Sequence, residues 1–133
     1  MMTERQVKGE YDLVVIGGGA AGMTAAITAA SLGLSVLLIE SAPYLGGTTA
    51  FSAGSVWIPN TSLAPDCGDD PERAANYLKA TVSNHAPEDM RSAFLARGPE
   101  MVDFLQQTGA TDLVAYPYHP DYIGDAPGAT THG

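Results

Sequence analysis

Three glycines and one acid near the start of the chain have the types and spacing of a dinucleotide-binding site. Gly17, Gly19 and Gly22 fall at the G-x-G-x-x-G spacing, and Glu40 follows at roughly the 20-residue distance where such sites carry an acid. The first glycine permits a sharp turn, the second lets a pyrophosphate approach the backbone, and the third lets a helix lie close to a sheet. A carboxylate at position 40 can accept hydrogen bonds from both hydroxyls of a ribose.

The segments around these residues predict the unit that such a site requires. Residues 13–16 and 35–39 are short apolar runs, which predict two strands buried on both faces. Residues 20–34 are rich in alanine and predict a helix that Gly33 ends. This order predicts a right-handed βαβ unit whose helix N-terminus faces the phosphates. The alternative, a glycine-rich helix start that only allows close packing, accounts for Gly22 alone.

The segment from residue 13 to residue 39 carries no charged side chain, so a membrane-spanning helix is a second interpretation of it. A spanning helix needs about 20 continuous, mainly apolar residues. Three consecutive glycines at positions 17–19 interrupt this segment, and β-branched residues cluster at its two ends. The strand–helix–strand interpretation accounts for these features, and we expect no membrane span.

The composition indicates a globular protein that does not bind nucleic acid. The 133 residues suffice for one small domain with a core, and 45% of them are hydrophobic. The formal net charge of −9 disfavours binding to nucleic acid or to an anionic membrane. Cys67 is the single cysteine, so no internal disulfide can form. Residues 1–10 lack the apolar region of a signal peptide, and we expect a disordered tail and a cytoplasmic protein.

A second glycine-rich loop follows Glu40. Gly46 and Gly47 open a small, hydroxylated stretch, and no charged residue occurs from position 41 to position 65. Because a surface loop normally carries charge, we expect this loop to contact a polar, uncharged ligand. The alternative is an ordinary buried loop whose hydroxyl groups bond to the backbone. Residues 11–65 are therefore predicted to carry the dinucleotide-binding motifs.

Residues 66–109 predict a helical segment without chemistry of its own. Asp70 and Pro71 predict the start of a helix that runs to about residue 84. Pro87 predicts the start of a second helix, which Gly109 ends and which breaks or kinks at residues 98–99. The expected core positions are Ala74, Ala75, Leu78 and Val82 on the first helix, and Met90, Phe94, Met101 and Leu105 on the second.

Residues 110–133 are rich in proline, glycine and tyrosine, which predicts a structured loop. His119 and His132 lack metal-ligand spacing to Cys67 or to an acid cluster, so we expect solvent-facing histidines and no metal site. From the residues alone, an aromatic side chain in this loop, such as Tyr122, is expected to pack rather than to react.

These motifs together resemble one group of flavoproteins. The G-x-G-x-x-G unit, Glu40 and the stretch GGTTAFSAG at residues 46–54 resemble the FAD-binding part of the fumarate reductase and succinate dehydrogenase type of flavoprotein. Within that group, VWIPN at residues 56–60 and PDYIGDAP at residues 120–127 look like the 3-ketosteroid Δ1-dehydrogenases. The resemblance covers nearly the whole chain after residue 10.

The resemblance implies a cofactor, a reaction and site residues. The cofactor is FAD, held without a covalent bond, since no histidine lies from residue 41 to residue 84. The substrate is a 3-ketosteroid-like small molecule, which loses a hydride from C1 to the flavin and a proton from C2. Tyr122 matches a catalytic tyrosine that supports the proton-abstracting one, and that base belongs to a later part of the family chain. The implied cofactor-binding residues are Gly17, Gly19, Ala21 and Gly22 at the pyrophosphate, Glu40 at the ribose, and Gly46, Gly47, Thr48, Thr49, Ser52, Ala53 and Gly54 beside the ribityl chain and flavin ring.

The expected fold class is α/β, an incomplete Rossmann-like FAD-binding domain made of the N-terminal βαβ part and a helical segment. Residues 110–133 are expected to begin a substrate-pocket loop. Ala53 and Ser55 stand where the family favours glycine. Three alternatives stay open. One is another fumarate reductase-type flavin oxidoreductase, such as a Δ4-steroid or fumarate-type enzyme; another is a non-catalytic NAD-binding module. The third is an inert fragment of a truncated reading frame, which the abrupt end at Gly133 favours.

Overall fold

The structure is a computed structural model that describes residues 9–63, 68–116 and 118–131. Most of the predicted disordered tail, together with Cys67 and His132, lies outside the described residues. The chain divides into two compact units between Ser55 and Val56. In the part of the chain that the structure describes, no helix is long and apolar enough to cross a bilayer.

The first unit contains the predicted strand–helix–strand order. Strand β1 spans Leu13–Ile16, helix α1 spans Ala20–Ser31 and strand β2 spans Val36–Ile39. The two strands are parallel neighbours, with their first residues opposite each other and their last residues opposite each other. The strand–helix–strand unit is therefore confirmed, with β2 beginning one residue later than predicted. The right-handed sense of the connection stays a prediction.

Helix α1 ends in a turn built on Gly33. The backbone of Gly33 has a φ of +84°, a conformation that side chains rarely tolerate. Its N–H donates to the carbonyl of Ala30 (2.9 Å), and the N–H of Leu34 donates to the carbonyl of Ala29 (3.1 Å). This pair of bonds is a Schellman motif, which satisfies carbonyl groups at the helix end. The motif confirms Gly33 as the stop signal of α1, whose last residue is Ser31.

The prediction that both strands are buried on both faces is wrong for this chain. Ile16 is 85% exposed, and Leu13, Val14 and Ile39 are exposed as well. Helix α1 lies against both strands, but a helix covers only one face of a sheet. The exposed apolar side chains therefore lie where a parallel sheet that is covered on both faces would have a second layer of helices.

The second unit is built from two helices. Helix α2 spans Pro71–Val82 and helix α3 spans Glu88–Gln107, with a 3-10 turn at Ser83–His85 between them. Asp70 caps α2 as predicted, because its Oδ1 accepts the N–H of Glu72 (2.8 Å). Helix α2 was predicted to run to about residue 84, but residues 83 and 84 belong to the 3-10 turn.

Helix α3 is a single helix that includes Pro99, so a break at residues 98–99 is wrong, while the alternative of a kink there stays a prediction. Gly98 is buried, and a Cβ added there would lie only 2.8 Å from Cγ2 of Ile58. Gly98 therefore serves close packing against Ile58 rather than a break in the helix. Gly109, with a φ of +69°, follows the helix end, and the N–H of Ala110 returns to the carbonyl of Leu105 (3.0 Å), as a glycine stop predicts.

The buried faces of the two helices differ in part from the predicted ones. On α2, Tyr77 is buried and the predicted Ala75 is exposed. On α3, the predicted Met90 is 63% exposed and Phe94 is exposed, whereas Val102, which was not predicted, is buried. The buried hydrophobic residues of this unit are Ala74, Tyr77, Val102 and Leu105. The described residues after Gly109 form neither helix nor strand, which confirms the predicted loop.

Candidate functional site

The turn between β1 and α1 presents the end of a helix. Gly17 continues from β1 with a φ of +100°, and its N–H donates to the carbonyl of Ile39 (2.7 Å). Gly19 is the N-cap of α1 and supplies no side chain to the N–H groups of the first turn, which also contains no acid. The first N–H groups of α1 and the positive end of its dipole are therefore available to an anion, as a phosphate site requires.

The three motif glycines are required for different physical reasons. Gly17 needs its positive φ, which side chains rarely adopt. At Gly22 an added Cβ would overlap the carbonyl oxygen of Gly17, so this glycine lets α1 begin directly against the turn. At Gly19 an added Cβ would meet nothing within 4 Å. The open space beside Gly19 is the room that a pyrophosphate needs, and Ala21 lies next to it, exposed in the first turn of α1.

Glu40 binds the backbone of two loops at once. Its Oε2 accepts the N–H of Gly18 (2.7 Å), and its Oε1 accepts the N–H of Ala42 (2.8 Å) and the hydroxyl of Ser41 (3.1 Å). The bonds from Ala42, Gly18 and Ser41, in that order of size, lower the pKa of Glu40 to about 2. The carboxylate is therefore ionised at neutral pH. Oε2 can accept one further bond, and Oε1 can accept a second ribose hydroxyl in place of the hydroxyl of Ser41, so the predicted role at a ribose is compatible with this geometry.

The second glycine loop lies directly against the first. The N–H of Gly46 donates to the carbonyl of Gly18 (2.8 Å), and Gly46 forms a parallel bridge with Gly19. A Cβ added to Gly47 would lie 3.1 Å from the Cα of Gly19. Gly46 and Gly47 both have positive φ, at +121° and +52°. The two predicted glycine motifs thus form one surface, and the approach depends on the missing side chains.

The residues that follow the glycine pair are exposed rather than buried. Gly47–Phe51 forms a 3-10 helix, and the N–H of Gly54 bonds to Oγ of Ser52 (3.1 Å) behind it. The alternative of an ordinary buried loop is therefore wrong for this chain. The remaining predicted flavin contacts, which are Thr48, Thr49, Ser52, Ala53 and Gly54, are all exposed.

Tyr122 belongs to the second unit and is 93% exposed. Its ring lies edge-on to the ring of His119, with 6.2 Å between the ring centres, and His119 also contacts Tyr116 at 5.4 Å. This ring contact within an exposed loop is compatible with the packing alternative, and the catalytic role of Tyr122 stays a prediction. His119 is exposed, and the described residues include no group of three or more histidines, cysteines or acids that could hold a metal ion.

Two residues with structural roles in these regions were not identified from the sequence. Gly18 is buried, its N–H donates to Glu40 and its carbonyl accepts from Gly46. An added Cβ on Gly18 would lie 2.5 Å from Cδ2 of Leu45 and 3.3 Å from Oε2 of Glu40, so a larger residue would require these side chains to move. The only feature of the sequence that could have indicated a role for Gly18 is the run of three glycines at positions 17–19. Asp121 is buried in the loop that carries Tyr122, and nothing in the sequence distinguishes it from a solvated acid.

Comparison with known proteins agrees with this geometry. The chain is 44% identical over 126 residues to the 3-oxosteroid 1-dehydrogenase of Mycolicibacterium smegmatis, covering 93% of this chain and 22% of that protein. It is 42% identical over 122 residues to the 4-oxocyclohex-2-ene-1-carboxylate 5-dehydrogenase of Sinomonas cyclohexanicum, covering 92% of this chain and 21% of that protein. The chain thus spans about a fifth of the length of these relatives.

A solved structure gives the same result. The 3-ketosteroid Δ1-dehydrogenase of Sterolibacterium denitrificans, in complex with 1,4-androstadiene-3,17-dione, matches with a TM-score of 0.78 and 42% identity. The match covers 92% of this chain and 22% of that protein. The profile of the FAD binding domain family matches residues 12–130. The chain therefore belongs to the FAD binding domain family, and its cofactor is FAD.

Proposed function

We propose that the chain forms the FAD-binding portion of a dehydrogenase that removes hydrogen from C1 and C2 of a 3-ketosteroid. The observation that carries the proposal is the single surface made by the two glycine loops, with Glu40 bonded into it. The M. smegmatis relative is a 3-oxosteroid 1-dehydrogenase and the S. denitrificans relative a 3-ketosteroid Δ1-dehydrogenase, which supports the proposed substrate class and reaction. Because the chain spans about 22% of these relatives, we propose that it acts within a longer polypeptide, here termed the complete enzyme.

In this proposal the described residues bind and orient the cofactor, which supplies two-electron acceptor chemistry when bound. The N-terminus of α1 faces the pyrophosphate, and the ionised Glu40 accepts the ribose hydroxyls. Tyr122 contacts the substrate and supports the proton-abstracting tyrosine. The proposed cofactor contacts are Gly17, Gly19, Ala21, Gly22, Glu40, Gly46, Gly47, Thr48, Thr49, Ser52, Ala53 and Gly54.

A smaller cyclic ketone is a second candidate substrate. The S. cyclohexanicum relative is almost as similar to this chain as the steroid enzymes, and its name specifies a six-membered oxo-carboxylate ring. Assaying the complete enzyme with a 3-ketosteroid and with 4-oxocyclohex-2-ene-1-carboxylate, each with an artificial electron acceptor, separates the two. We expect turnover of the steroid; turnover of the carboxylate alone would replace the proposed substrate.

We expect the complete enzyme to purify yellow and to release FAD on denaturation. Glu40 is ionised, and no Arg or Lys occurs from Ser41 to Glu72, so the 2′-phosphate of NADP would meet a carboxylate without a nearby cation in that stretch. The released nucleotide is identified by chromatography against FAD, FMN, NAD and NADP standards. Recovery of FMN, of NADP or of no nucleotide would contradict this prediction.

Replacing Glu40 with glutamine is expected to remove an acid-dependent part of the stability of the FAD-bound enzyme. The folded-state pKa of Glu40, about 2, lies below the ordinary 4.5, so its stabilising contribution is complete above pH 4.5 and is lost as the pH falls towards 2. Glutamine does not titrate and offers one acceptor oxygen where the carboxylate offers two.

The measurement is the urea midpoint of flavin release between pH 2.5 and pH 6, followed by flavin fluorescence. In the wild type the midpoint should fall more steeply towards acid than in Glu40→Gln, which should already be less stable at neutral pH. Glu10→Gln is the matched control, because it removes the same charge from an exposed residue. Parallel pH profiles in the wild type and Glu40→Gln would show that Glu40 does not hold the loops through its charge.

Tyr122→Phe is expected to lower turnover of a 3-ketosteroid by about 10- to 100-fold while FAD content is unchanged, because assistance to proton transfer requires the phenol hydroxyl. The measurement is kcat together with flavin absorbance per protein. Tyr116→Phe is the control, since Tyr116 is also exposed and also contacts the ring of His119. If Tyr122→Phe turns over substrate at the wild-type rate, only a packing role remains.

A further inference from the structure

A buried carboxylate closes the loop that carries Tyr122. Asp121 is 9% exposed, and each of its side-chain oxygens accepts one hydrogen bond. Oδ1 accepts the indole N–H of Trp57 (2.8 Å), and Oδ2 accepts the N–H of Thr130 (2.8 Å). The N–H of Asp121 donates in turn to the carbonyl of Thr130 (2.9 Å). Asp121 thus joins the two ends of the segment 121–130 and attaches them to Trp57.

The same segment is fixed to helix α2 at three points. The N–H of Ile123 bonds to the hydroxyl of Tyr77 (3.3 Å), and the guanidinium of Arg73 donates to the carbonyl of Ala129 (3.0 Å). Gly128 lies on the backbone of α2, because an added Cβ would be 2.8 Å from the N of Tyr77 and would overlap the carbonyl of Arg73. The segment therefore has one defined position on α2, and Asp121 lies at its entrance.

Trp57, which donates to Asp121, is itself held between aromatic rings. Its ring stacks with Phe94 at 6.2 Å and 2°, and it is tilted against Tyr77 at 5.7 Å and 42°. Such ring pairs stabilise a fixed orientation of the indole. The hydrogen bond to Asp121 thus connects the loop to rings contributed by both helices of the second unit.

Two neighbouring side chains of this loop differ in their exposure to solvent. Asp121 is buried, and the next residue, Tyr122, is 93% exposed. We propose that Asp121 is a positioning residue that fixes the orientation of Tyr122 towards the substrate. This inference rests on the proposed role of Tyr122. A carboxylate is needed because the N–H groups of Trp57 and Thr130 are both donors. Asparagine could accept from only one of them and would direct its own NH₂ donor at the other.

The test uses Asp121→Asn in the complete enzyme, in the wild-type and in the Tyr122→Phe background. We expect kcat to fall about 10- to 100-fold in the wild-type background, because misplacement of a reacting group by about 1 Å has effects of that size. In the Tyr122→Phe background the same substitution should change kcat less than about twofold, since residues that act as one unit are not additive. KM and FAD content should change little in either background.

A second measurement reports on the conformation of the loop independently of enzyme turnover. Hydrogen exchange of the amides of Ile123 and Thr130 should accelerate in Asp121→Asn, while exchange in helix α3 stays at its wild-type rate. Trp57→Phe removes the N–H donor together with part of the indole and keeps one aromatic ring against Phe94, so it should reproduce the faster exchange if Asp121→Asn folds poorly. Asp125→Asn, the same change at an exposed acid of the same loop, is the control and should behave as wild type.

The outcomes separate this inference from the proposed function. Faster exchange with a loss of kcat that depends on Tyr122 supports it. Unchanged loop exchange, or an equal loss of kcat in both backgrounds, would overturn the positioning role and leave the proposed dehydrogenase standing. Faster exchange with full activity in Tyr122→Phe would support the fixing of the loop by Asp121 and overturn the proposed role of Tyr122.

Discussion

Gly19→Val is expected to abolish FAD binding by the complete enzyme while its fold remains intact. Gly19 has φ −75° and ψ −177°, which a residue with a side chain can adopt, and an added Cβ meets nothing within 4 Å. The protein itself therefore has room for the side chain. A pyrophosphate at the N-terminus of α1 would occupy the same space, so the substitution acts on the ligand. Flavin absorbance per protein and far-UV circular dichroism measure the two effects.

Two reference variants make this experiment specific. Ala30→Val adds a β-branched side chain at an exposed position of α1, away from the loop, and should retain FAD. Gly22→Val should lose the fold together with FAD, because its Cβ would overlap the carbonyl of Gly17. Normal FAD occupancy in Gly19→Val would show that the phosphates do not approach this glycine.

The features of the fold that the sequence could predict are those that depend on near neighbours along the chain. Gly33 and Gly109 end their helices because a positive φ is a local property, and Asp70 caps α2 through a residue two positions away. In α3, Gly98 instead provides space for Ile58, which packs against it from far along the chain. The rule that a glycine–proline pair breaks a helix contains no information about such a partner.

In the candidate site, too, local features could be predicted from the sequence and contacts between distant residues could not. The spacing of Gly17, Gly19 and Gly22 and the acid at position 40 predicted a phosphate turn and a carboxylate beside it. The sequence did not predict that the carboxylate bonds to Gly18, or that Gly46 pairs with Gly19, since both are contacts across more than twenty residues. Gly46 and Gly19 pair through backbone groups, and the carboxylate of Glu40 bonds to a backbone N–H; backbone groups leave no signature in the residue types.

Expressed alone, these 133 residues are expected to aggregate or to remain partly ordered, and to show no dehydrogenation of a 3-ketosteroid. The described strands form a sheet of two that α1 covers on one face only, and we expect a sheet of this size to be marginally stable. Its apolar side chains are open to solvent, Ile16 most of all. An uncovered apolar sheet with free edges is a template for association with other copies.

Binding of the cofactor gives a second reason to expect that the isolated chain is inactive. The glycine loops and Glu40 would contact the adenosine and pyrophosphate, but their backbone groups alone cannot cover a flavin ring, whose remaining contacts we assign to the rest of the complete enzyme. Sedimentation, binding of a hydrophobic dye and titration with FAD measure solubility, exposed apolar surface and affinity. An isolated chain that unfolds cooperatively, holds one FAD per molecule and reduces an artificial acceptor with a 3-ketosteroid would contradict the prediction. It would show that two strands and two glycine loops suffice for the site.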